Sequence, residues 1–196
     1  MGSLKESWDL AYRKYLAEKH LDFKGVSISG YLDNFKSELE KIGYRCEYSN
    51  DNHTRMSGEY AGRKVNLNIL ITSMTKLVYL LLIDIKEDDW QKSKEIYNSI
   101  RDQLSEKYGQ PSEVIEEFEE PYEDGDGYEF DALEMGQGSY FSNYHLPQGR
   151  ICVAINCHAV EDEDTGEITY DKGVFLSYFD NNNMRLSHLE DEIKSE

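Results

Sequence analysis

Ten carboxylates crowd residues 116–134 without a Lys or Arg among them. Glu116, Glu117, Glu119, Glu120, Glu123, Asp124, Asp126 and Glu129 lead the run, which Pro121, Gly125 and Gly127 punctuate. Two chemistries suit such a stretch. Clustered carboxylate oxygens chelate divalent cations, and an unneutralised acidic surface draws in a basic partner. An EF-hand loop places oxygen ligands at its first, third and fifth positions, a glycine at the sixth and a bidentate Glu at the twelfth. Counting from Asp124, Asp126 takes the third position but Tyr128 takes the fifth. A second acidic stretch, residues 161–171, fits further, with Glu161, Glu163, Thr165 and Gly166 in place. It then sets Lys172 where the bidentate Glu belongs. Both stretches read first as solvated elements, a loop and a hairpin tip. A divalent-cation-binding protein that uses the same carboxylates is the alternative.

Other chemistries meet named obstacles. Cys157 and His158, with His145 nearby in sequence, have the residue types of a zinc site. In an extended strand, however, Ile151, Val153, Ile155 and Cys157 share one face while Cys152, Ala154, Asn156 and His158 share the other. No Gly-x-Ser-x-Gly elbow supports a nucleophile, and Gly125-Asp126-Gly127 lies among acids that repel phosphate. Three cysteines, Cys46, Cys152 and Cys157, make no disulfide framework. Paired carboxylates could serve a glycosidase only across a cleft that the sequence does not show. The residues imply no cofactor and name no catalytic group. A hydrolase whose site forms only on folding is the third reading, behind binding and cation chelation.

The elements that position these residues are legible from periodicity. Leu4, Trp8, Ala11, Tyr12, Tyr15 and Leu16 form one stripe and predict a helix over residues 4–20. Leu32, Phe35, Leu39 and Ile42 predict a second helix that begins at Ser29 and stops at Gly43. Strands are expected at 44–48, 53–60, 64–72 and 76–86. Asp88 or Asp89 then caps a helix striped by Trp90, Ile96, Tyr97, Ile100, Leu104 and Tyr108, with Gly109 and Pro111 ending it. Four more strands follow at 113–119, 138–146, 150–160 and 172–179, and 181–196 reads as an acidic tail with a short exposed helix. The expected fold is therefore α+β, an antiparallel sheet of about eight strands with helices on one face. It divides into an N-terminal helix (1–22), two similar α-β4 units (23–87 and 88–180) and the tail (181–196).

A helix followed by four antiparallel strands, used twice, resembles the tandem architecture of the β-lactamase inhibitor protein family and related bacterial envelope lipoproteins. The stretches His20-Leu21-Asp22-Phe23-Lys24-Gly25 and Glu106-Lys107-Tyr108-Gly109-Gln110-Pro111 also resemble small uncharacterised bacterial proteins, many of them exported. This resemblance implies a binding module and transfers no functional residue.

Composition narrows the partner. With 39 Asp and Glu against 21 Lys and Arg, the net charge is -18, which disfavours direct contact with a phosphate backbone or an anionic membrane. No apolar run approaches the roughly 20 residues of a membrane span. In the first hairpin, Val65, Leu67, Ile69 and Ile71 with Tyr79, Leu81, Ile83 and Ile85 make one apolar face. The other carries Leu70, Val78, Leu80 and Leu82 beside Asn66 and Asn68, so it too calls for cover. The N-terminal helix folded back over it is one cover, and a homodimer or a partner protein is another. Met1-Gly2-Ser3 has no hydrophobic continuation, so localisation stays open: periplasmic or exported where a signal peptide has been removed, cytoplasmic otherwise. The expectation is a non-enzymatic, inhibitor-like binding module, monomer or homodimer, that turns acidic loops and sheet surface toward a basic protein.

Overall fold

The computed structural model describes residues 19–50, 53–161, 166 and 168–194. A two-residue hairpin, β1 (Asp22–Phe23) and β2 (Val26–Ser27), precedes helix α1 (Leu32–Lys41). Four strands follow: β3 (Arg45–Ser49), β4 (His53–Tyr60), β5 (Arg63–Ile71) and β6 (Val78–Lys86). Helix α2 (Trp90–Tyr108) leads to β7 (Glu113–Phe118), a short α3 (Glu129–Glu134), β8 (Gly138–Leu146), β9 (Gly149–Glu161) and β10 (Ile168–Asp180). Helix α4 (Asn181–Lys194) comes last. Eight strands form one antiparallel sheet in the order β3-β4-β5-β6-β10-β9-β8-β7. The helix expected over residues 4–20 lies outside the described residues, except that Lys19 and His20 are not helical.

Two compact units share the chain. One comprises Met1–Ile83, Leu146–Ile151 and Ser177–Glu196, the other Asp84–His145 and Cys152–Leu176.

In the first unit the apolar stripe of α1 buries Leu32, Phe35 and Leu39, and β5 alternates with Val65, Leu67, Ile69 and Ile71 inward. Phe23 stacks on Tyr60 at 5.6 Å and meets Tyr44 and Tyr178 edge-on, geometries that favour aromatic pairs. The Tyr44 ring lies so close to the sheet that a Cβ on Gly58 would sit 2.3 Å from it. Only a residue without a side chain admits this ring.

The C-terminal helix departs from the expectation of an exposed tail. Asp180 is fully buried and caps α4, accepting from the backbone N–H groups of Asn182 at 3.1 Å and Asn183 at 3.0 Å. A carboxylate at this position satisfies donors that a helix leaves open, an effect worth about 1 kcal/mol. The same carboxylate accepts from Leu21 N–H and pairs with His20 Nδ1 at 3.1 Å. The Asn183 amide donates to the carbonyls of Ile28 and Val78. Leu186 and Glu190 are buried, and Glu190 accepts from the backbone N–H groups of Met74 at 2.7 Å and Thr75 at 3.2 Å. One face of α4 thus fastens the β5–β6 turn.

In the second unit, Asp89 caps α2 through the Lys92 N–H at 2.8 Å. Its stripe buries Ile96, Tyr97, Ile100 and Leu104. Tyr97 bonds Ser142 on β8 at 2.6 Å, and the Tyr144 hydroxyl donates to the Arg101 carbonyl at 2.8 Å, which seats the helix on that strand. Along β9, Val153, Ile155 and Cys157 are buried while Asn156 and His158 are exposed, so Cys157 and His158 face opposite ways. Burial raises the Cys157 thiol pKa.

Candidate functional site

The acidic run occupies three kinds of backbone. Glu116 and Glu117 lie on β7, residues 119–128 form a connecting loop, and Glu129 opens α3. The sequence reading had the strand over 113–119 but treated the rest of the run as loop. Phe130, Ala132 and Leu133 are buried, and their grouping holds a short helix against the unit where charge alone suggests open solvent. Glu129 goes in with them, 3% exposed, its carboxylate accepting from the Gly125 N–H at 2.7 Å.

Trp90, the first residue of α2, organises the run. Its ring packs edge-on against Phe118 at the end of β7, Phe130 in α3 and Tyr140 in β8, with centroids 5.7, 5.5 and 5.2 Å away. Its indole N–H donates to Asp124 at 2.8 Å, and Lys94 one turn along pairs with the same carboxylate at 2.6 Å. The Lys94 hydrogen bond holds the Asp124 carboxyl below the usual range, and the Trp90 bond adds to the effect. Arg101 pairs with Glu116 at 2.7 Å. Burial, reinforced by Glu116 and Asp124, pushes the Tyr140 phenol up to about 12. One aromatic side chain therefore holds the acidic segment at three points, Phe118, Asp124 and Phe130.

The carboxylates counted as cation ligands each have protein partners. Asp124 binds Lys94 and Trp90. Asp126 closes its own turn through the N–H groups of Glu123 at 3.0 Å and Tyr128 at 2.7 Å, and Glu129 serves Gly125. Among the described residues, no group of three or more His, Cys, Asp or Glu converges as a metal ligand set. In the second acidic stretch, residues 161–171, positions 162–165 and 167 lie outside the described residues, and residues 168–171 open β10.

What remains solvent-facing is specific. Glu117, Glu119, Glu120 and Glu123 are exposed and have no ion-pair partner among the described residues. From residue 108 to residue 149 the chain has eleven Asp or Glu and no Lys or Arg. Exposed large side chains accompany them, Val114 at 46%, Tyr128 at 60% and Met135 at 64%. These three escaped the sequence reading because none shows a period of its own. Tyr128 and Met135 flank α3, a helix hidden among acids.

The sheet surface of the first unit is less open than expected. Leu70, Leu80 and Leu82 are half-buried, whereas Val78 is fully buried and does not belong to the surface. Strand alternation fails where β6 begins. Val78 N–H meets the Gly30 carbonyl at 3.4 Å, its own carbonyl takes the Asn183 amide, and Tyr79 is left half-buried instead. The cover expected from Trp8, Tyr12 and Tyr15 lies outside the described residues. His20 and Asp180 have the residue types of a hydrolase pair, but Asp180 is committed to capping α4 and the pair is structural.

Among the described residues no helix is long and apolar enough to cross a membrane. No family model matches the chain, and no curated protein or solved structure is similar to it.

Proposed function

We propose that this chain is a non-enzymatic binding module whose second unit presents an acidic face to a basic protein. The observation that carries the reading is the combination on one stretch of chain. Carboxylates at Glu117, Glu119, Glu120 and Glu123, exposed and without an ion-pair partner among the described residues, lie in the same segment as the exposed Tyr128, with Met135 just beyond it. Charge of one sign steers encounter and selects the partner, while Tyr and Met supply contact area at low entropic cost. The indole bond from Trp90 and the ion pair from Lys94 support the reading further, because a surface whose centre is fixed loses less entropy on binding.

The test is affinity capture with the intact chain and two variants. One replaces Glu117, Glu119, Glu120 and Glu123 with Gln, and the other replaces Tyr128 and Met135 with Ala. The expected result is a defined basic protein retained by the unsubstituted chain, released by salt and lost from both variants. Retention of the same proteins by all three chains would sink the proposal.

A further inference from the structure

We infer that β7 is a strand-addition site for an extended basic segment of the partner. This rests on the acidic-face reading above and names how that face is used. β7 is an outer strand of the eight-stranded sheet. It pairs with β8 one residue for one, from Glu113↔Asn143 to Phe118↔Gly138, without a shift of register. The other outer strand, β3, is interrupted between Cys46 and Tyr48, the kind of bulge that discourages further pairing. β7 has no such interruption.

Which backbone groups face outward follows from the ladder. Glu119 N–H donates to the Gln137 carbonyl at 2.7 Å. Antiparallel bonding alternates, so Glu117, Ile115 and Glu113 also direct their N–H and C=O groups to β8. Val114, Glu116 and Phe118 direct theirs out of the sheet. The side chain of Val114 is itself exposed, and Ile115 lies between Glu113 and Glu117 on the opposite face.

Charge decides the occupant. A second copy of β7 paired antiparallel about Glu116 would set Glu116 against itself and Glu113 against Glu119, and like charges directly opposite are destabilising. An incoming strand with basic residues opposite Glu113 and Glu117 and an apolar residue opposite Ile115 satisfies every position. Its pattern is basic, any, apolar, any, basic. Main-chain bonds supply affinity in this mode, and alternate side chains supply specificity.

The probe is a peptide whose centre reads Arg-Thr-Val-Thr-Arg, set against its scramble Arg-Arg-Val-Thr-Thr, with amide hydrogen exchange read on the full chain. The alternating peptide is expected to bind more tightly and to slow exchange at Val114, Glu116 and Phe118. Val114→Pro removes one outward donor without touching the β8 ladder, and should weaken binding roughly fivefold while Ile115 and Glu117 stay protected. Binding without protection at the three outward amides, or undiminished binding by Val114→Pro, overturns strand addition and leaves the acidic-face reading standing. Failure of both peptides to bind at low salt removes both. If the proline unfolds β7, the exchange pattern of the unsubstituted chain decides alone.

Discussion

Replacing Trp90 separates two contributions that the structure assigns to one side chain. Trp90→Ala removes a half-buried ring that meets three aromatic partners edge-on and deletes the indole bond to Asp124. Large aromatic truncations cost about 3–5 kcal/mol, and the partial exposure of Trp90 places this one near the lower end. Trp90→Phe keeps a ring edge-on to the same partners and loses the indole N–H. That bond meets a carboxylate in a half-exposed setting, where screening reduces its worth to about 1 kcal/mol. For a chain of this length each kcal/mol moves Tm by roughly 2–4 °C, so the two variants should differ by about 4–8 °C. Thermal unfolding followed by circular dichroism reads the difference, and amide exchange in residues 119–128 reads its local consequence. Exchange there should rise sharply in Trp90→Ala and little in Trp90→Phe. Equal destabilisation by both variants would refute the claim that ring packing, and not the hydrogen bond, anchors the acidic segment.

Two further outcomes are expected. Asp124 has a lowered folded-state pKa, so its contribution is present above the unfolded value of 3.8 and is lost as pH falls through the folded value. Its side chain is 49% exposed, so the effect is small, and Asp124→Asn should lower the neutral plateau of a Tm-against-pH curve slightly and converge on the unsubstituted chain at the acid end, so that the acid limb becomes shallower. Glu190→Ala leaves the Met74 and Thr75 amides without their acceptor. Chemical denaturation should show a loss of about 3 kcal/mol, in line with deleting a buried charged acceptor, together with rapid exchange of those two amides.

Where one signal dominated, element bounds were readable to within a residue. The stripe predicted α2 with its Gly109 end and a cap at Asp88 or Asp89, of which Asp89 is the one used, and β4 runs over His53–Tyr60 as its flanking turns require. Helix α3 was not legible because its apolar residues, Phe130, Ala132 and Leu133, span barely one turn inside a run of acids. β10 starts at Ile168 instead of residue 172 because its first residues are exposed on both faces and lack alternation. Glu190 and Asp180 are carboxylates whose burial depends on donors more than a hundred positions away in sequence. No local pattern encodes that. The acidic run itself was visible at once, but which of its members face solvent depended on Trp90 and Lys94, which lie in a different element.

The clasp of α4 has a consequence for synthesis. His20 and Asp180 are 160 positions apart, Ile28 and Asn183 are 155 apart, and Met74 and Glu190 are 116 apart. A chain that emerges from its N-terminus first has Leu21, Ile28 and the β5–β6 turn in solution long before their partners exist. Residues 21–28 must therefore wait, their polar groups hydrated and their aromatic cluster short of Tyr178, until residues 178–183 have been made. Such distant pairings slow closure and prolong exposure of apolar surface. Truncation of α4 ahead of Glu190 would thus be felt first at the β5–β6 turn, where the Met74 and Thr75 amides lose their acceptor.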